Sequence, residues 1–174
     1  MILAAYRSDL YNTLLVLHIA LAIVGFGGVV LNGVYGAQAN KRGGAEGLAI
    51  TEANLFVSTK VAEICIYLVP LVGFALIGLS DSVFEFSQTW VWLSIVLYVV
   101  ALGITHSMIV PSARRLIELQ AELVGGPPPA AGPPPQVAEM EECGKRLAVA
   151  SSINHVILLV IVVLMIFKFG GPNI

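Results

Sequence analysis

Four apolar stretches, at about 11–37, 55–79, 90–110 and 147–167, dominate the chain, and each is long enough to cross a bilayer. A spanning helix needs about 20 mostly apolar residues to bridge a hydrocarbon core roughly 30 Å thick. Inside that core every backbone N–H and C=O has to be satisfied by the segment itself or by a closed barrel. The stretches lack the strict in–out alternation of barrel strands, so their spacing predicts helices. With 57% hydrophobic and only 11% charged residues, the chain cannot keep a soluble domain wet, since such a surface carries roughly a quarter charged residues. A net charge of −2 and the lack of a basic stripe give a nucleic-acid partner no footing. The expected fold is all-α: a single membrane domain, an antiparallel up-down bundle of four transmembrane helices.

The first stretch also has to be weighed against a cleaved signal peptide, because Ala37, Gln38 and Ala39 form a small-x-small triplet. Its apolar run is far longer than a signal core of about 7–15 residues, and Lys41 and Arg42 come at once after it as a stop-transfer pair. A retained span is therefore expected. Orientation is set by the basic residues. Lys41, Arg42 and Lys60 flank the first connection, and Arg114, Arg115, Lys145 and Arg146 flank the third. The second connection, 80–88, holds Asp81 and Glu85 and no base. Connections one and three are thus expected in the cytoplasm of a bacterial inner membrane, with both termini on the other side. Arg7 and Lys168 oppose this but are outnumbered. Trp90 and Trp92 suit an interfacial belt on the outer side, and Cys65 and Cys143 read as free thiols.

The third span is expected to run on past the membrane as a polar helix, with Arg114 and Glu118 as an i,i+4 pair. A Pro-rich linker over 125–136 comes next, holding six of the nine prolines, and reads as a stiff polyproline spacer. The chain becomes helical again after it, where Glu139, Glu141 and Glu142 favour a helix N-terminus.

Function is best sought at polar groups that hydrocarbon penalises. Asn32 stands nine residues before Lys41, His106 eight before Arg114, His155 nine after Arg146, and Glu63 eleven after Glu52. At about 1.5 Å per residue, each lies roughly 12–16 Å inside its border. Four helices thus contribute to one layer of Asn32, Glu63, Tyr67, His106, Asn154 and His155, with His18 apart in the outer half. On the first span His18, Gly25, Asn32 and Gly36 share a stripe suited to close helix contact. On the second, Phe56, Glu63, Tyr67, Pro70 and Phe74 share a face, and the Tyr67 phenol is placed to donate to Glu63 one turn away. Pro111 withholds a donor from the Ser107 carbonyl and bends the third helix beside His106. Lys60 is expected to snorkel to the headgroups.

Three functions fit this layer. His106 and His155, matched in depth on consecutive helices, would ligate a single b-type haem, with Glu63 beside it and His18 as a further candidate. A copper or other divalent metal on the same residues is a variant. Proton, ion or small-solute transport through a homo-oligomer would use Glu63 and the histidines as a relay. An accessory subunit would use the polar layer and the glycine face to lock into other membrane proteins. No catalytic motif is present, and enzyme activity is not expected.

The run LHIALAIVGFGG at 17–28 resembles the first-helix pattern of small bacterial membrane proteins related to the copper-resistance-D-like superfamily. The haem-linked bacterial protoporphyrinogen oxidase belongs to the same broad group. The resemblance implies a compact helical bundle and a haem or copper connection through His18. The chain departs from the group in having four spans and no methionine-rich copper motif.

Overall fold

The computed structural model describes residues 8–126, 132 and 134–171. Residues 127–131 and 133 of the expected Pro-rich linker fall outside these residues, as does Arg7. Four helices account for nearly all of the rest: α1 (Asp9–Arg42), α2 (Gly44–Gly78), α3 (Thr89–Gly125) and α4 (Pro135–Phe167). No strand occurs among the described residues. Each helix is long and apolar enough to cross a membrane, so this is a four-helix membrane bundle.

The helices run to 34, 35, 37 and 33 residues. At about 1.5 Å per residue each is roughly 50 Å long, well beyond the approximately 30 Å of hydrocarbon. The surplus collects at the basic end of the bundle, the one carrying Lys41, Arg42, Arg114, Arg115, Lys145 and Arg146. There α1 and α2 are not joined by the broad connection expected from sequence. The chain reverses at Gly43 and Gly44, with φ of 62° and 51°, a region that favours glycine. Gly47 lets α2 fold back onto α1, since a Cβ there would stand 2.6 Å from the Ala39 carbonyl oxygen.

The extensions of α3 and α4 are pinned by charge. Arg115 donates from Nε and Nη2 to both carboxylate oxygens of Glu139, at 2.7 and 3.1 Å, and from Nη1 to Glu118 at 3.1 Å. The expected partner of Glu118 was Arg114, but Arg115 makes the pair, because it also faces α4. Leu119 is sealed beneath this network, at 1% exposure. Hydrogen bonds from Arg115 hold the Glu139 carboxyl below its ordinary value, and those from Lys145 do the same for Glu141.

In the membrane, small residues bring α1 onto α2. A Cβ at Gly25 would meet Ile66 at 2.9 Å, and one at Gly28 would meet Ala62 at 2.7 Å. Gly36, expected in the same stripe, has nothing within 4 Å, and Gly28 takes its place. The face of α2 that meets α1 is therefore the Ala62, Ile66 and Val69 side. Phe56, Tyr67 and Phe74, on the face assigned to the interior from sequence, are exposed.

At the opposite end, the 80–88 loop is folded tightly around Ser80, which is fully buried. Its hydroxyl donates to the Ile77 carbonyl at 2.7 Å and accepts from the Phe84 N–H at 3.0 Å. Phe84 packs edge-on against Trp90 and lies 4.7 Å from the Lys168 ammonium. Trp90 is thus core, at 7% exposure, and only Trp92, at 47%, fits the expected belt.

Two outcomes are expected. Gly28→Leu should destabilise the bundle by about 1–3 kcal/mol through overpacking, whereas Gly36→Leu should leave its thermal midpoint in detergent unchanged. Because Glu139 and Glu141 are depressed, the stability they lend is complete above their ordinary 4.5 and is lost as pH falls through their lower folded values. Amide exchange at 135–146 should therefore accelerate on acidification below 4.5, and Arg115→Gln should remove the share of that response that Glu139 contributes.

Candidate functional site

Apolar side chains are no more attracted to each other than to lipid tails, so packing and interhelical hydrogen bonds have to hold a membrane bundle together. Around this bundle each pair of neighbouring helices carries its own polar clasp. Ser58 on α2 donates to Asn32 Oδ1 on α1 at 2.8 Å. Asn154 on α4 donates from Nδ2 to Thr105 Oγ1 on α3 at 2.8 Å, and more weakly to the Ala101 carbonyl at 3.3 Å. His155 Nε2 donates to the Val29 carbonyl on α1 at 3.2 Å and closes the ring. The fourth clasp joins α2 to α3. There the Tyr67 hydroxyl donates to Glu63 Oε1 at 2.6 Å and stands 2.9 Å from His106 Nε2, which is itself 3.0 Å from Glu63 Oε1.

The residues expected in one polar layer are divided among four contacts. His18 belongs to another level, where its Nδ1–H donates to the Val69 carbonyl at 2.9 Å. Its ring lies over Gly73, where a Cβ would be 3.1 Å from His18 Cε1.

Local backbone irregularities put these groups where they are. In α2 the Glu63 N–H reaches back five residues to the Ser58 carbonyl, and in α3 the Val110 N–H reaches Thr105 in the same way. These widened turns, 58–62 and 105–109, begin at Ser58 and Thr105, and so coincide with the belt of clasps. Single turns of this kind are frequent at functional sites. The α3 turn directly precedes Pro111, which cannot supply the regular i→i−4 bond. Pro70 has a matching effect in α2: it leaves the Ile66 carbonyl without its helical donor, and the Tyr98 hydroxyl of α3 fills the gap at 3.2 Å.

The Glu63–Tyr67–His106 cluster differs from the other clasps in two ways. It alone brings ionisable side chains of two helices together, and it is open. The His106 side chain is 48% exposed, that of Glu63 23%, and Tyr67 is 41% exposed. Asn154, by contrast, is 4% exposed. Next to the cluster, the half of α2 above Glu63 makes little backbone contact with the facing half of α3. Lys60, three residues nearer the basic end, is also exposed, with no partner among the described residues.

Set against the candidates, Glu63, Tyr67 and His106 converge, while His155 and His18 lie elsewhere. His106 and His155 turn their Nε2 atoms to different helices, so a shared haem would require both to release the contacts they make here. Among the described residues no group of three His, Cys, Asp or Glu side chains is arranged to hold a metal. Both cysteines are free thiols. Sequence reasoning missed Ser58, Thr105 and Tyr98. Only Tyr98 had a sequence signal, because Pro70 announces an orphaned carbonyl at Ile66.

A family model described as "Predicted integral membrane protein (DUF2269)" matches residues 12–169. No curated protein and no solved structure matches the chain. The family match carries the membrane-protein part of the resemblance at 17–28 and does not extend to the copper-resistance-D-like superfamily.

The Pro70–Tyr98 relation can be measured as a double-mutant cycle. Tyr98→Phe should cost about 0.6 kcal/mol, typical of an interhelical hydrogen bond in a membrane. In a Pro70→Ala background, where residue 70 again supplies an N–H to Ile66, the same change should cost close to nothing.

Proposed function

Because the chain belongs to this family of predicted integral membrane proteins, we propose that it serves as a subunit of a larger membrane assembly. It joins that assembly through the side of the bundle where α2 meets α3. One observation carries this reading: Glu63, Tyr67 and His106 stand open at bilayer depth, with side-chain exposures of 23% for Glu63 and 48% for His106. A charged side chain at the bilayer centre costs about 2.5–3.5 kcal/mol on insertion scales, so such groups face a protein interior or a watery cavity rather than lipid tails. The other three clasps are buried, as at Asn154, or partly buried, as at Asn32–Ser58 and His155–Val29. This one is left for another surface to close.

Two further features support the same side. Phe56, Leu71 and Phe74 of α2 are exposed alongside Tyr67, and flat aromatic and aliphatic surface of this kind packs well against a second helix. Lys60 brings a cation with no described partner to the same helix, one turn from Glu63. A partner helix that offers a donor to Glu63 and an acceptor to Lys60 would neutralise both.

In mild detergent or native-lipid nanodiscs the protein is expected to run well above the 18.4 kDa of one chain. Light scattering with mass spectrometry of the particle would identify whether the added mass is a second copy or another polypeptide. Glu63→Leu combined with His106→Leu should reduce the assembled fraction by at least about tenfold, equivalent to about 1.4 kcal/mol. A monodisperse single chain in native-lipid nanodiscs would rule the reading out.

A further inference from the structure

We infer that Glu63, Tyr67 and His106 form a binding site for one exchangeable proton, and that this proton holds α2 against α3. The inference stands on hydrogen-bond geometry alone and does not depend on what covers the site.

The tautomer is fixed first. His106 Nδ1 lies 3.0 Å from the Leu102 carbonyl oxygen. A carbonyl only accepts, so Nδ1 carries a hydrogen, and the state of Nε2 is the one variable left on the ring. Three atoms then form a closed triangle: Glu63 Oε1, the Tyr67 oxygen and His106 Nε2, with sides of 2.6, 2.9 and 3.0 Å. Tyr67 brings one hydrogen, which it donates to Glu63. If Glu63 is ionised and His106 neutral, no other hydrogen is present. Oε1 and Nε2 would then face each other at 3.0 Å with only lone pairs between them, and the cluster would carry a charge of −1. Adding one proton repairs both faults. Whether it resides on Nε2 or on the carboxyl, it lies on the Oε1–Nε2 edge, and the cluster is neutral overall. The observed triangle is the proton-bound form.

Loss of the proton to water therefore does more than change a charge. It turns the Oε1–Nε2 edge from attraction to repulsion, and that edge is one of the two side-chain hydrogen bonds that join α2 to α3 at this depth, the other being Tyr67–His106. Above the cluster the Tyr98 hydroxyl joins α3 to the Ile66 carbonyl of α2, and nearer the 80–88 loop Leu76 shares an apolar core with Trp90 and Val91. The widened turns at 58–62 and 105–109 sit at the same level, where the backbone gives most readily.

The surroundings hold one nearby cation. On α2, Lys60 lies three residues toward the basic end and makes no ion pair with Glu63. On α3, Tyr98 is engaged with Ile66. From α1, Asn32 is engaged with Ser58 and His18 with Val69. On α4, His155 faces Val29. No other described acid or base shares the cluster.

Glu63→Gln separates this site from an ordinary structural clasp. With its amide nitrogen at the Oε1 position, a glutamine donates to the Tyr67 oxygen, and the Tyr67 hydroxyl turns to donate to the bare Nε2 of His106. It thus completes the triangle with no exchangeable proton. The test uses the full chain in lipid nanodiscs, with Cys65 and Cys143 replaced by alanine and spin labels at Ile64→Cys on α2 and Met108→Cys on α3. Raising the pH from about 5 to about 10, across the reference range from Glu to Tyr, should shift the label–label distance to longer values. With Glu63→Gln added, the distance should stay at its low-pH value throughout. A distance that ignores pH in the otherwise wild-type chain overturns the inference, and so does a Glu63→Gln variant that opens as readily as wild type. If Glu63→Gln fails to fold, Tyr67→Phe decides, because it leaves the Oε1–Nε2 edge in place. It must retain the pH-dependent opening, and its loss counts against the site.

Discussion

Every polar side chain that this chain carries into the hydrocarbon has to find a partner there, because lipid offers none and a helix backbone has already used its own groups. The bundle meets much of this requirement with a belt of interhelical clasps, Asn32–Ser58, Glu63/Tyr67–His106, Asn154–Thr105 and His155–Val29, while Asn154 Oδ1 is buried without a partner. By analogy with other membrane bundles each contributes about 0.6 kcal/mol. Their collective effect is on register rather than strength. A helix that rotated or slid by one residue would strand a carboxylate, an amide or an imidazole in lipid. Close approach at Gly25 and Gly28 then supplies the packing that apolar side chains cannot, since they are equally content against lipid.

The ends of the bundle obey different physics because water is present. At the basic end, ion pairs such as Arg115–Glu139 join helices that extend past the hydrocarbon. These groups are exposed, so they orient the extensions more than they stabilise them. At the opposite end, a loop wrapped on the Ser80 hydroxyl and roofed by Phe84, Trp90 and Lys168 closes the bundle. The functional question is thereby confined to the middle, and within it to the one clasp that remains open.

Much of this could be read from residue order. Long apolar runs make helices inevitable in a bilayer, so the four spans were legible. The Tyr67–Glu63 bond was legible too, because an i,i+4 pair needs only helical geometry. Facing was not legible. Helical periodicity groups Phe56, Glu63, Tyr67 and Phe74 on one side of α2, yet whether that side points inward depends on where Gly25 and Gly28 draw α1. In lipid, hydrophobicity gives no clue, since both faces are apolar. The widened turns at 58–62 and 105–109 also rotate the remainder of each helix and leave no residue signature of their own. For the same reason the partners Ser58 and Thr105 were invisible, and Arg115 rather than Arg114 faced α4.

The central claim is that the open side of the belt is covered by protein and not by lipid. It can be tested by collisional accessibility of spin labels in proteoliposomes, at Leu71→Cys, one turn beyond Tyr67 on α2, and at Ile23→Cys on α1. In a single chain these residues are 60% and 68% exposed, so lipid-dissolved oxygen should reach both. With that side covered by protein, Leu71 is shielded and Ile23 is open. Equal, high oxygen accessibility at the two positions would contradict the claim.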